Sequence, residues 1–229
     1  DRARFENIES PEEKKSEGGE QQPGMGDDEP KAPADTGMNR FIWNTRYADA
    51  TKVPGAIMWR GTTQGPVAPP GKYQVRLRVG ARTWVQPFEI KKDPRLRTTQ
   101  DEFQEQFSFL IKVRDKVSKA HEVVNTIRDI RKQTEDLVKR LEKHPKKDTV
   151  SSTAKKLNEQ LKKVEEEIIQ VKIKSGQDAL NYPIKLNDKI ASLSGVISSA
   201  DTKPTQQSHE VFNELSEKLE KLLATYKKV

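Results

Sequence analysis

Tyr73-Gln74-Val75-Arg76-Leu77-Arg78-Val79 alternates apolar and polar residues at every step, the period of a strand with one face turned to a core. Gly80-Ala81 suits a tight turn, and residues 83–90 read as the returning partner strand, with Trp84, Phe88 and Ile90 facing inward. Pro87 has no amide hydrogen, which places that strand at a sheet edge or gives it a bulge. Asp93-Pro94 ends the pattern, because proline drives the preceding residue out of helical geometry. Beyond it the apolar spacing changes from two to three-four.

Four helices are expected there. The first starts near Thr99, with Glu102 completing a capping box, and runs to about Lys143 before His144-Pro145. Its stripe is Leu110, Val113, Val117, Ala120, Val124, Ile127, Thr134, Leu137 and Leu141. The second runs from near Thr149 to before Gly176 with Val150, Ala154, Leu157, Leu161, Val164, Ile168 and Val171. The third opens at Pro183 and carries Leu186, Ile190, Leu193 and Ile197. The fourth opens near Pro204 and carries Val211, Leu215, Leu219, Leu222 and Tyr226. Short links make neighbours antiparallel. The first helix is longer than any partner, so it bends or overhangs, and the overhang could pair two copies of the chain.

Upstream of the alternating strand, residues 39–43 and 56–59 are further strand candidates, and Ala68-Pro69-Pro70-Gly71 is a turn signal. Residues 1–36 are an acidic Gly/Pro-rich linker with a candidate edge strand at 3–8. The expected class is therefore α+β in two domains. A small antiparallel β-sandwich spans 37–95, and an antiparallel three- or four-helix bundle with one long helix spans 96–229.

Charge follows the same divisions. The 229 residues carry a formal +7, yet 1–35 hold five basic and eleven acidic groups and 36–95 hold eleven basic and three acidic. A basic β region suits an anionic partner, but the signature motifs of nucleic-acid modules are absent, so no nucleic-acid partner is expected. No apolar run is long enough to span a membrane. No signal peptide is legible, and the opening Asp1 in place of Met reads as a fragment or a processed product.

The chemistry of catalysis is hard to find. There is no cysteine. His121, His144 and His209 lack the spacing of a metal site. The carboxylates alternate with lysines on helical faces, and neither a nucleophile elbow nor a phosphate-cradling loop occurs. No catalytic residue, metal or cofactor is expected. Trp43, Trp59 and Trp84 all fall in the β region and read first as its core. If exposed beside Arg76 and Arg78, they would instead form a ligand-binding platform for carbohydrate. The polar corner 175–187 reads as helix termination and re-initiation.

Gly37-Met38-Asn39-Arg40-Phe41-Ile42-Trp43-Asn44-Thr45-Arg46-Tyr47 and Gly65-Pro66-Val67-Ala68-Pro69-Pro70-Gly71-Lys72-Tyr73-Gln74-Val75-Arg76-Leu77 resemble the C-terminal region of large bacterial exported proteins with sortilin-type, BNR-repeat β-propellers. The 175–187 corner, Ser199-Ala200-Asp201 and Pro204-Thr205 resemble it too, so the likeness covers nearly all of 37–229. Asn44 stands where that family usually has Asp. Such proteins are often labelled glycosyl hydrolases, but the label belongs to the propeller, whose Asp-box repeats are absent here, so no catalytic residue carries over. The Gly-x-Tyr-x-Val-Arg-Leu strand also resembles the Ig-like fold of flagellar hook-capping proteins and of secretion-associated C-terminal domains. The resemblance implies an Ig-like β-sandwich ahead of the helices and an exported, periplasmic or extracellular setting. It implies a non-catalytic accessory role beside an upstream β-propeller or another protein, with carbohydrate binding as the alternative.

Overall fold

The computed structural model describes residues 32–228, so the candidate strand at 3–8 lies outside the described residues. The chain divides into two compact units, residues 1–45 and residues 46–229. In the first, the Asn39 side chain accepts from the Asp35 amide and donates to the carbonyls of Asp35 and Gly37. These bonds fold 35–39 into a turn held by its own side chain. Residues 39–43 form no strand.

The second unit is α+β: four helices and one small antiparallel sheet. The sheet is a two-stranded hairpin of β1 (Gly71–Val79) and β2 (Arg82–Ile90), paired Leu77 to Trp84 and Tyr73 to Phe88. Gly80 at φ +56° supplies the left-handed first position of its two-residue turn. The β-sandwich expected for 37–95 is not formed by the described residues. Residues 56–59 form no strand; the amides of Trp59 and of Arg60 and Gly61 after it donate to the Asp188 carboxylate and not to a ladder.

The helices are α1 (Gln100–Arg140), α2 (Lys147–Ile168), α3 (Leu186–Ile197) and α4 (Gln206–Tyr226), with a 3-10 turn at Gly176–Leu180. The expected capping box forms, since the Thr99 side chain accepts from the Glu102 amide while the Glu102 carboxylate accepts from the Thr99 amide. Helix α2 stops at Ile168, earlier than expected, and Ile169 and Ile173 beyond its end are buried. Helix α3 opens at Leu186, not at Pro183. In α4, Val211 faces solvent, and Phe212 and Leu223 take the core side with Leu215 and Leu219.

Contact register gives the directions. Along α1, Arg128 meets Glu165 and Thr134 meets Asn158, so α2 is antiparallel to it. His121 meets Asn187 and Gln106 meets the carbonyl of Ile197, so α3 is antiparallel as well. Phe109 meets Phe212 and Lys116 meets Glu220, so α4 runs parallel to α1. Helix α1, about 60 Å long at about 1.5 Å per residue, is thus flanked by two shorter helices following one another along it, with the 169–185 corner at the break. This is how a 41-residue helix finds partners in a chain whose other helices run to 22 residues at most. Towards its C-terminal end the core thins out, and Leu137 is exposed.

Candidate interaction surface

A strap of extended chain, residues 46–67, lies along the face of α1 that the other helices leave open. Along residues 48–54 most grips are side chains of α1 reaching strap main-chain groups. Arg114 donates to the carbonyl of Ala48, Ser118 accepts from the Thr51 amide, Asn125 donates to the carbonyl of Lys52 and Arg128 to that of Pro54. These positions recur at helical spacing, so one stripe of α1 reads successive strap residues. Ala50 and Val53 sink into the core between the grips. The strap then doubles back: the Ala50 amide donates to Thr63, the Tyr47 amide to Pro66, and the Gly65 amide to the Asp49 carboxylate.

Two buried polar groups lock it. His121, 2% exposed, has Nδ1 at 2.5 Å from the carbonyl of Thr51 and Nε2 at 3.0 Å from Asn187 Nδ2. Nδ1 therefore carries the proton and Nε2 accepts. Burial pushes the imidazole below its usual range, against the opposing pull of the Thr51 carbonyl. Asp188, 3% exposed, accepts from the amides of Trp59 and Gly61 at 2.6 Å each and of Arg60 at 3.2 Å. Gly61 is required there, since a Cβ would stand 2.5 Å from that of Ala191.

The strap feeds the hairpin, whose foot is fixed. Tyr73 donates to the carbonyl of Pro69, Gln100 to that of Pro70, and Lys92 to that of Thr98. A cavity of about 510 Å³ lies at this foot, lined among others by Pro66, Phe103, Phe107 and Leu110. Its two arginines are engaged by protein, Arg46 with the carbonyl of Gly65 and Arg114 with Ala48 and Asp115. Above the foot, among the described residues, the strands pack on no helix. One face of the hairpin carries Tyr73, Val75, Leu77, Val79, Trp84 and Phe88; the other carries Lys72, Arg76 and Arg78. Leu77 is 56% and Trp84 51% exposed, so the apolar side faces water.

Of the residues singled out in the sequence, Trp43 belongs to the first unit and the others to the second. Trp43 is half-buried in the first unit. Trp59 is exposed on the strap and Trp84 on the apolar face of the hairpin. Arg76 and Arg78 lie together on the opposite face, so Trp84 and these arginines do not line one groove. In the 175–187 corner, Asp178 accepts from the amides of Lys174 and Ser175 at the start of the 3-10 turn, which hold its carboxyl below the usual range, while no side chain caps the start of α3. Its last residue, Asn187, belongs to the clamp instead. The clamp went unread in the sequence, yet a signal existed: His121 sits four residues after Val117 and three before Val124, on the buried stripe. Among the described residues no cluster of three or more His, Asp or Glu could hold a metal, and no helix is long and apolar enough to cross a membrane. No family model, curated protein or solved structure matches the chain.

Proposed function

We infer that the chain is a non-catalytic accessory and interaction module of a larger exported protein, in which the bundle is a stiff support and the hairpin the docking element. The observation carrying this reading is an amphipathic hairpin whose apolar face is open to water although its foot is fixed to the bundle. Isolated two-stranded sheets are marginal in water, and a half-exposed set with Leu77 and Trp84 amounts to roughly 450 Å² at about 150–250 Å² per aromatic and less per aliphatic side chain. A patch of that size is as large as the largest on a typical monomer, and such patches are often functional. The covering structure in this reading is β-rich, either further strands that complete an Ig-like sandwich or the face of a β-propeller in the same protein.

The test compares hydrogen exchange at residues 71–90 in this chain and in the same chain joined to its natural upstream sequence. The expected result is at least about tenfold slower exchange in the hairpin of the longer protein, with the amides of α1 unchanged. Equal exchange in both would sink the reading. Carbohydrate binding is the second reading, supported by the exposure of Trp59 and Trp84. A saturable change of tryptophan fluorescence with oligosaccharide, lost in Trp84→Ala or Trp59→Ala, would put it first.

A further inference from the structure

Resting on that reading, we propose that the outer edge of β1 accepts one added strand from a partner, a strand alternating apolar residues with carboxylates. The two edges of the hairpin differ. In a hairpin with a two-residue turn the closing pair, here Val79 and Arg82, bonds inward, and bonding then alternates along the ladder. Lys72, Gln74, Arg76 and Arg78 therefore direct their amides and carbonyls outward from β1. On β2 the outward set is Thr83, Val85, Pro87 and Glu89. Pro87 has no amide to offer, so this edge is blunted at its middle, a common protection of edge strands. The β1 edge has no such guard, and among the described residues no strand pairs with it.

The side chains beside the β1 edge state what the strand must carry. A residue added on the apolar face lies next to Val75, Leu77 or Val79; one added on the other face lies next to Lys72, Arg76 or Arg78. That face holds Lys72, Arg76 and Arg78 on β1 and one carboxylate, Glu89 of β2 opposite Lys72, so a strand with carboxylates beside Arg76 and Arg78 is matched in charge, and a lysine-bearing one is repelled. A second copy of the chain is the poorer occupant. Two apolar faces together would bury roughly 900 Å², below the about 1,200–2,000 Å² of stable interfaces, and two edges of β1 would set their cationic rows side by side. Strand addition adds main-chain hydrogen bonds to a small apolar contact.

The experiment titrates the whole chain with an acetylated octapeptide alternating valine and glutamate, and in parallel with its valine–lysine counterpart, and follows amide exchange by NMR. The expected result is at least about tenfold protection of the Gln74, Arg76 and Arg78 amides by the glutamate peptide and less than about twofold by the lysine peptide, with Thr83 and Val85 unchanged. Arg76→Glu with Arg78→Glu, both at exposed positions, should reverse the peptide preference. Gln74→Pro, which removes one outward donor, should abolish binding with the β1–β2 ladder intact. Protection of Thr83 and Val85 instead, equal protection by both peptides, or no protection overturns the proposal. So does protection of the same amides by anionic phospholipid vesicles alone, or a concentration-dependent dimer that already protects them. If the hairpin is shielded in the longer protein while neither peptide protects β1, the strand proposal fails and the module reading stands.

Discussion

Replacing Asp188 by asparagine keeps the shape of the clamp and removes its charge. The carboxylate Oδ2 takes the Trp59 amide at 2.6 Å, and Oδ1 takes Gly61 at 2.6 Å and Arg60 at 3.2 Å. An amide offers one acceptor oxygen, so its NH₂ must face one of the two short donors. That contact turns from a charge-assisted bond, worth about 1.5–3 kcal/mol, into an unmet donor. The two remaining bonds become neutral and lose about half their strength. Because Trp59 and Arg60 have access to water, part of the loss is recovered by solvation, and the net cost is about 3 kcal/mol. For a chain of this size that corresponds to a fall in Tm of roughly 6–12 °C. Urea denaturation gives the stability change, and hydrogen exchange locates it: the amides of Trp59, Arg60 and Gly61 should exchange much faster while those in the middle of α1 lag behind. A Tm within about 2 °C of the parent, or unaltered exchange at the three amides, would refute the claim that Asp188 anchors the strap.

Three further outcomes test the same architecture. His121 is held below its solution range in the fold, so its contribution to stability is complete above the unfolded pKa of about 6.5 and is lost as pH falls from there through the lower folded value; the unfolding free energy from urea titrations should drop at up to about 1.4 kcal/mol per pH unit in that window, and His121→Gln should flatten the slope. Gly61→Ala sets a methyl against Ala191 and the Asp188 carboxylate, and should cost about 1–3 kcal/mol by thermal unfolding. Glu165 is buried between Arg128 and Arg131, with both contacts at 2.8 Å; Glu165→Gln should cost about 1–3 kcal/mol, because the two guanidinium groups lose their counter-charge but keep part of their solvation, measured as a shift in the urea midpoint at constant slope.

The helices were legible because their cause is local. Capping at Thr99 and the stripe from Leu110 to Ile127 lie within one segment, and the structure uses them as read. The end of α2 is not legible because Val171 continues the spacing after the chain has left the helix, where Ile173 is buried. In α4, Val211 and Phe212 both fit a three-four pattern, and only contact with Phe109 decides between them. The hairpin was legible from alternation and Gly80, but its partners were not. Alternation states that one face is apolar; it does not state that anything covers it. The strap was invisible for a different reason. It is irregular chain held by side chains from another element, so nothing in residues 46–67 announces the grips at Arg114, Ser118, His121, Asn125 and Arg128.

The strap also explains why the hairpin can be presented at all. A two-stranded ribbon with an exposed apolar face gains little from its own contacts and would collapse onto any nearby apolar surface. Here both ends of the ribbon are tied. On the entry side, Asp188 and His121 fix the strap, and Tyr73 bonds Pro69 just before β1. On the exit side, Lys92 bonds Thr98, whose own hydroxyl donates to the carbonyl of Asp201 after α3. The direction of the hairpin is therefore set by buried polar groups of the bundle and not by its apolar face, which is left for something else. Loosening the clamp should then weaken partner binding without touching the binding surface. Asp188→Asn measured below its Tm should bind the valine–glutamate peptide less tightly, by a factor that grows with temperature as the strap frays. An affinity equal to the parent's at every temperature would mean that the hairpin keeps its shape without the clamp, and that the link from buried carboxylate to exposed surface does not exist.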